Sequence, residues 1–239
     1  MIIDGGGIAP LCTLLRMGSN KANCFAAAAI ASLADQPKHQ EPIIKAGACQ
    51  PLVRLVRDDV TVDTQLHASD AIADLSDKNP KAQKIFFGFG AVPLLLALLK
   101  GGKANVSAAK ALAKMLSPAG GSDQANSAVQ EEIARDGGIA PLLALLSGMS
   151  TQAAVYAAEA LSRVAQGNPG TQATITKSGG IAPLLAMISA KSTTPQQAQA
   201  ASALGQLARF NRENQDAISR ARGIPLLMAL LSSHVDTTV

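Results

Sequence analysis

The chain has 239 residues with 21 Lys and Arg against 17 Asp and Glu, a formal charge of +4, and is 48% hydrophobic with only 16% charged residues. That balance is too apolar for a disordered chain, and too weakly basic to imply nucleic acid or a membrane surface as a partner. Aromatic residues are 3% of the chain and Trp is absent, so the core is predicted to be Ala, Leu, Ile and Val between closely stacked helices.

The N-terminus, Met1 to Pro10, has neither the basic start nor the long apolar run of a secretion signal. The longest strongly apolar run, Ala91 to Leu99, is half the ~20 residues that span a bilayer. These features predict a soluble intracellular protein, cytoplasmic or nuclear. Cys12, Cys24 and Cys49 form no CxxC pair and are predicted to be buried, reduced thiols.

Aligned with itself, the chain shows one recurring corner. It opens as Gly6-Gly7-Ile8-Ala9-Pro10-Leu11 and returns at Gly47 to Leu52, Gly90 to Leu94, Gly137 to Leu142, Gly179 to Leu184 and Gly223 to Leu226. The corner prolines are 41, 42, 48, 42 and 42 residues apart. Gly ends one helix because it tolerates a left-handed backbone, and Pro fits the first turn of the next, where an N–H has no intrahelical partner.

Each corner leads into a short, almost wholly apolar helix, such as Pro141 to Leu146, predicted to be buried on most sides. A polar turn such as Ser147 to Ser150 follows, then a longer Ala-rich helix such as Ala153 to Ala165. In the fifth unit, Thr194 and Pro195 are the expected N-cap and first-turn proline of that helix. A third, shorter element opens each unit with Asn or Gln four residues before a Gln: Gln36 and Gln40, Asn79 and Gln83, Asn126 and Gln130, Asn168 and Gln172, Asn211 and Gln215.

The predicted organisation is therefore a partial repeat over 1–34, full repeats over 35–76, 77–117, 127–166 and 167–209, and a partial repeat over 210–239. The turn-rich stretch 118–126 absorbs the long interval as a surface loop. Neither end has a polar cap, which suggests a segment of a longer solenoid, or ends that meet partners or other copies.

Three helices in about 42 residues, with these corners and an Ala-rich third helix, resemble the armadillo repeat family over essentially the whole chain. The relevant members are of the importin-alpha, beta-catenin and vacuolar-protein-8 type. The resemblance implies an all-α, right-handed α-solenoid with three helices per repeat, whose third helices line a concave groove for extended peptides.

In the nuclear-import members a Trp and an Asn four positions later recur on the third helices and grip basic peptides. The matching positions here are Ala28 and Ser32, Asp70 and Asp74, Lys110 and Lys114, Glu159 and Arg163, Ser202 and Gln206. No rung carries either residue. One turn earlier, Phe25, His67, Ser107, Tyr156 and Gln199 extend the same face. The expected groove residues are Ser32, His67, Asp70, Asp74, Ser107, Lys110, Lys114, Tyr156, Glu159, Arg163, Gln199 and Gln206, with the acids facing basic side chains of a partner and the lysines an acidic or phosphorylated stretch. The alternative reading of each charge is a solvated helix face.

No catalytic constellation is legible. His39, His67 and His234 fall at unrelated positions of the repeat. Ser107 to Lys110 matches Ser-x-x-Lys without the companion motifs of acyltransferases, and the Gly corners lack the Gly-Lys-Ser/Thr of a phosphate loop. Asn105-Val106-Ser107 is a sequon expected to be unused inside the cell, and Thr237 to Val239 resembles a PDZ ligand. No cofactor or metal is expected.

The reading that follows is a non-enzymatic scaffold for extended peptide segments. Its alternatives are a nuclear-import adaptor, the substrate-recruiting part of a larger protein such as a ubiquitin ligase, and an architectural element that stacks end to end.

Overall fold

A computed structural model describes residues 6–57, 59–118, 126–189 and 191–235, with side chains through residue 232. The centre of the predicted 118–126 loop, the His234 side chain and the Thr237 to Val239 terminus lie outside the described residues. The chain divides into two compact units, Met1–Glu132 and Ile133–Val239.

In unit 1 the order is α1 (Ile8–Met17), α2 (Asn20–Ala34), α3 (Pro37–Lys45), α4 (Cys49–Arg54), α5 (Val62–Ser76), α6 (Pro80–Gly88), α7 (Ala91–Leu98) and α8 (Asn105–Met115). Helix α9 (Ser127–Arg135) carries the boundary. Unit 2 continues with α10 (Ile139–Leu146), α11 (Thr151–Ala165), α12 (Pro169–Lys177), α13 (Ile181–Ala186), α14 (Thr194–Ala208), α15 (Arg212–Arg220) and α16 (Gly223–Val235). Each predicted triplet of first, second and third helix is present. All described elements are helices, and none is by itself long and apolar enough to cross a membrane.

The corners work through two different glycine properties. Gly47, Gly90, Gly137 and Gly179 hold the left-handed conformation, with φ between +71° and +82°. The residue after Gly137 then donates back into the ended helix, Gly138 N to Ile133 O at 2.8 Å, and Gly180 does the same to Ile175 O at 3.0 Å. Gly180 itself is right-handed and serves a different need: a Cβ there would stand 2.7 Å from Ile175 Cγ2. At the last corner Arg222, not Gly223, takes the left-handed place, with φ +59°.

Third helices other than α8 start on hydroxyl caps. Ser19 Oγ accepts from Ala22 N at 3.3 Å and Ser150 Oγ from Ala153 N at 3.2 Å. Helix α14 is capped one residue earlier than the sequence suggests, at Thr193, whose N–H donates to Gln196 Oε1 at 3.0 Å. The Pro195 ring fits because the first turn needs no donor there.

Small side chains let the third helices lie close. In unit 1, α2 packs on α5 and α5 on α8 through Ala26, Ala27, Ala68, Ala71, Ala108 and Ala109, all buried. In unit 2, α11 packs on α14 through Ala154, Ala157, Ala158, Ala200 and Ala203. Leu and Ile of the second helices, with Phe86 as the largest buried side chain, fill the space beneath. Cys12 and Cys49 are buried as expected, but Cys24 is half-buried, because it lies on the flank of α2 rather than its core stripe.

The Asn and Gln that open the repeats have separate tasks. Asn79, Asn168 and Asn211 cap their helices, with side-chain oxygens accepting from the N–H three residues on at 3.1 Å. Gln40, Gln83 and Gln172 are buried, and each reaches the carbonyl ends of two successive third helices. Gln83 Nε2 donates to Ser76 O at 3.0 Å and to Ser117 O at 2.9 Å, and Gln172 Nε2 to Ala165 O at 3.2 Å and Gln206 O at 2.9 Å. Asn79 Nδ2 then donates to Gln40 Oε1 of the preceding repeat at 2.9 Å, and Asn211 Nδ2 to Gln172 Oε1 at 3.2 Å. These amides supply partners for helix-end carbonyls that burial would otherwise strand.

Candidate functional site

The third helices carry the candidate site, so their surface positions fall on one face of each unit at a repeat's spacing. In unit 1, Ser32 is exposed but turned inward on its own helix, its hydroxyl donating to Ala28 O at 3.1 Å. His67, Asp70 and Asp74 are half-buried on α5, and Lys110 and Lys114 half-buried on α8. Phe25 stands out at the start of α2, 63% exposed.

The charges meet across helices rather than standing alone. Lys110 Nζ lies 2.7 Å from Asp74 Oδ1, and Lys114 Nζ lies 3.6 Å from Asp77 Oδ1. Repeat register puts Asp70 level with Lys110 and Asp74 level with Lys114, so both pairs are diagonal, each lysine reaching an acid about one turn further along. The sequence expectation of lysines directed at a partner's acids is thereby amended: each already has a carboxylate beside it. Asp77 was missed because it lies just beyond the helix, as the C-cap of α5.

Asp74 sits at the centre of this group. Burial pushes its carboxyl above the ordinary range, the Lys110 ammonium pulls it back, and the neighbouring charges of Asp70 and Asp35 push it up again. Four carboxylates, Asp35, Asp70, Asp74 and Asp77, thus share this face with the ammonium groups of Lys110 and Lys114. Asp70 has no ion-pair partner among the described residues. Among these six groups the four carboxylates outnumber the two ammonium groups, although the chain as a whole is basic.

Unit 2 is built differently. Glu159 Oε1 accepts from Arg163 Nη2 at 2.9 Å, one turn apart on α11, and Glu159 is buried. Ser162 and Ser202 hydroxyls meet at 2.9 Å and tie α11 to α14. Tyr156, Gln199 and Gln206 are half-buried. Gln206 Oε1 is buried with no hydrogen-bond partner among the described residues, while its backbone carbonyl accepts from Gln172.

Two expected surface residues are therefore beneath the surface, Ser107 at 5% and Glu159 at 8% exposed. Both sit where the Ala-rich stripe turns toward the neighbouring helix, and helical spacing alone does not separate the stripe from its flank. The accessible set is Phe25, Ser32, His67, Asp70, Asp74, Lys110 and Lys114 in unit 1, and Tyr156, Arg163, Gln199, Ser202 and Gln206 in unit 2. No group of His, Cys, Asp and Glu among the described residues is arranged to hold a metal ion.

No protein-family model matches the sequence, and no curated protein matches it. Solved structures do match. The chain superposes on an engineered protein with a TM-score of 0.84 at 26% identity, covering 95% of this chain and 90% of that one. A designed armadillo repeat protein gives 0.82 at 22% identity over 93% of this chain and 91% of that one. Another, in complex with the peptide (KR)4, gives 0.73 at 26% identity over 86% and 84%. The fold is that of an armadillo repeat solenoid, all-α with three helices per repeat.

Proposed function

We propose that the protein is a non-enzymatic scaffold that binds extended peptide segments of other proteins along its third-helix faces. The observation that carries this reading is the parallel array of third helices, α2, α5 and α8 in unit 1 and α11 and α14 in unit 2, each presenting polar side chains at matching positions. Helices packed at the usual separation place successive rungs on the order of 10 Å apart. An extended peptide advances ~3.3 Å per residue, so roughly every third residue meets a rung. The likeness to designed armadillo proteins, one described as made for modular peptide recognition, supports the same reading.

The charge balance narrows the ligand. On unit 1 the surplus carboxylates, with Asp70 unpaired among the described residues, and the exposed Phe25 ring on α2 favour a segment carrying Arg or Lys. A nuclear-import adaptor is not favoured. Its ladder of Trp and Asn is replaced here by Ala28, Asp70, Lys110, Glu159 and Ser202 at one position and Ser32, Asp74, Lys114, Arg163 and Gln206 at the other.

Fluorescence anisotropy with an alternating Lys-Arg octapeptide tests the proposal. Binding is expected, with Asp70→Lys weakening it about tenfold and raised salt weakening it further. Equal binding by wild type and Asp70→Lys would remove the acidic face as the site.

A further inference from the structure

Away from the third helices, unit 1 has a cleft of about 320 Å³ between α4 and the α6–α7 corner. Its floor is apolar, formed by Val53, Leu94, Pro93 and Phe89, and its rim carries Arg54 and Arg57. Such a volume takes one or two bulky side chains.

The residues that shape this cleft depart from the repeat. The position before each corner residue is Ala46, Asp136, Ser178 or Ala221, small or polar, but here it is Phe89, 45% exposed. The corner that follows, Gly90 to Pro93, is one residue shorter than those opening at Gly6, Gly47, Gly137 and Gly179 and is matched only by Arg222 to Pro225, and nothing lies within 4 Å of where a Cβ on Gly90 would stand. Three and six residues after the corner proline the other repeats read Thr13 and Arg16, Leu96 and Leu99, Ala144 and Ser147, Ala186 and Ser189, Met228 and Leu231. Paired arginines occur only after Pro51.

Among the described residues their charge is unmatched. Arg54 Nη2 donates only to the Arg16 carbonyl at 3.4 Å, Arg57 is exposed, and neither guanidinium has a carboxylate partner among the described residues. The backbone beneath them is fixed, since Gln65 Nε2 donates to Arg57 O at 2.8 Å. The lysines of the third-helix face, by contrast, are matched by Asp74 and Asp77.

We propose that this cleft is a second docking site, for a short acidic peptide segment that seats one bulky apolar side chain against Phe89, Val53 and Leu94 and sets its carboxylates on Arg54 and Arg57. Charge complementarity selects the acidic segment: two planar donor forks beside an apolar floor match carboxylates flanking a hydrophobic anchor. The site shares no residue with the third-helix face, so it stands or falls independently of the function proposed above.

The test is an array of nine-residue peptides with Glu at the flanks and Leu, Ile, Phe, Tyr or Trp at the centre, titrated against the full chain. Micromolar binding is expected for at least one, about tenfold weaker with Phe89→Ala and lost with Arg54→Glu plus Arg57→Glu. The same peptide with Gln for Glu is expected not to bind. All three substituted residues are exposed, and circular dichroism checks the fold. Arg54→Gln with Arg57→Gln repeats the comparison without reversing charge. Failure of every peptide at millimolar concentration, or binding that survives the arginine replacements, overturns the proposal.

Discussion

Arg222 holds a backbone conformation that five earlier corners give to glycine, with φ +59°. An L side chain there costs about 1 kcal/mol. Arg222→Gly is therefore expected to raise stability by about that amount, read as a higher urea midpoint at unchanged slope. Gly90→Ala, at φ +71°, is expected to lower it by a similar amount, and because its Cβ meets no neighbour the loss reports the backbone alone.

Asp74 supplies a second residue-scale test. Its carboxyl titrates above the ordinary aspartate value because burial outweighs the Lys110 contact. The folded state then holds its proton more tightly than the unfolded chain. The stability this contributes is complete below pH ~4, the unfolded aspartate value, and disappears as pH rises through the folded one. Glu41, held low by Lys81, works in the opposite direction, so the comparison must be between wild type and Asp74→Asn. Wild-type stability relative to the variant is expected to fall as pH rises from 4. A flat difference would contradict the assignment. The thiols sort by the same physics: burial pushes Cys49 up to about 12 and raises Cys12 as well, so iodoacetamide at pH 8 is expected to label half-buried Cys24 first.

At the scale of the helix, the repeated Gln has different weight in different units. Gln83 is buried and serves carbonyls of two third helices, so Gln83→Ala is expected to cost about 1–3 kcal/mol through stranded acceptors. Gln215 occupies the same repeat position but is exposed and donates only to Ala208 O at 2.9 Å, so Gln215→Ala is expected to cost about 0.5 kcal/mol or less. Paired denaturation curves check the contrast. The recurrence of these Gln residues was plain in the sequence, and their bonding was not. A polar residue at a fixed repeat position reads equally as surface or as buried bridge until the next helix is in place. Helix order and corners were legible because Gly, Pro and Ala act locally. The Asp74–Lys110 and Asp77–Lys114 pairs were not, because they depend on a one-turn offset between neighbouring helices. The Phe89 cleft left a signal, an aromatic where other repeats have small or polar residues, but its meaning needed Arg54 and Arg57 brought alongside.

On the scale of the whole molecule, the long helices within each unit make their main third-helix contacts with the next one along, α2 with α5, α5 with α8, and α11 with α14. Stability in such a stack is close to a sum of local terms. Ile72→Ala, in the fully buried stripe of α5, is expected to speed amide exchange in α2, α5 and α8 while leaving α14 and α15 at wild-type rates. Uniform acceleration along the chain would show that cooperativity extends further than the contacts do. The glutamine bridges bear on what such a stack can be made to do. Because a bond of about 3 Å, anchored to main-chain oxygens, gauges the step from one long helix to the next within each unit, that step is insensitive to which side chains decorate the outer surface. Under the proposed function, residues there can be exchanged one rung at a time to recognise a different peptide, and the ruler against which that peptide is read stays the same length.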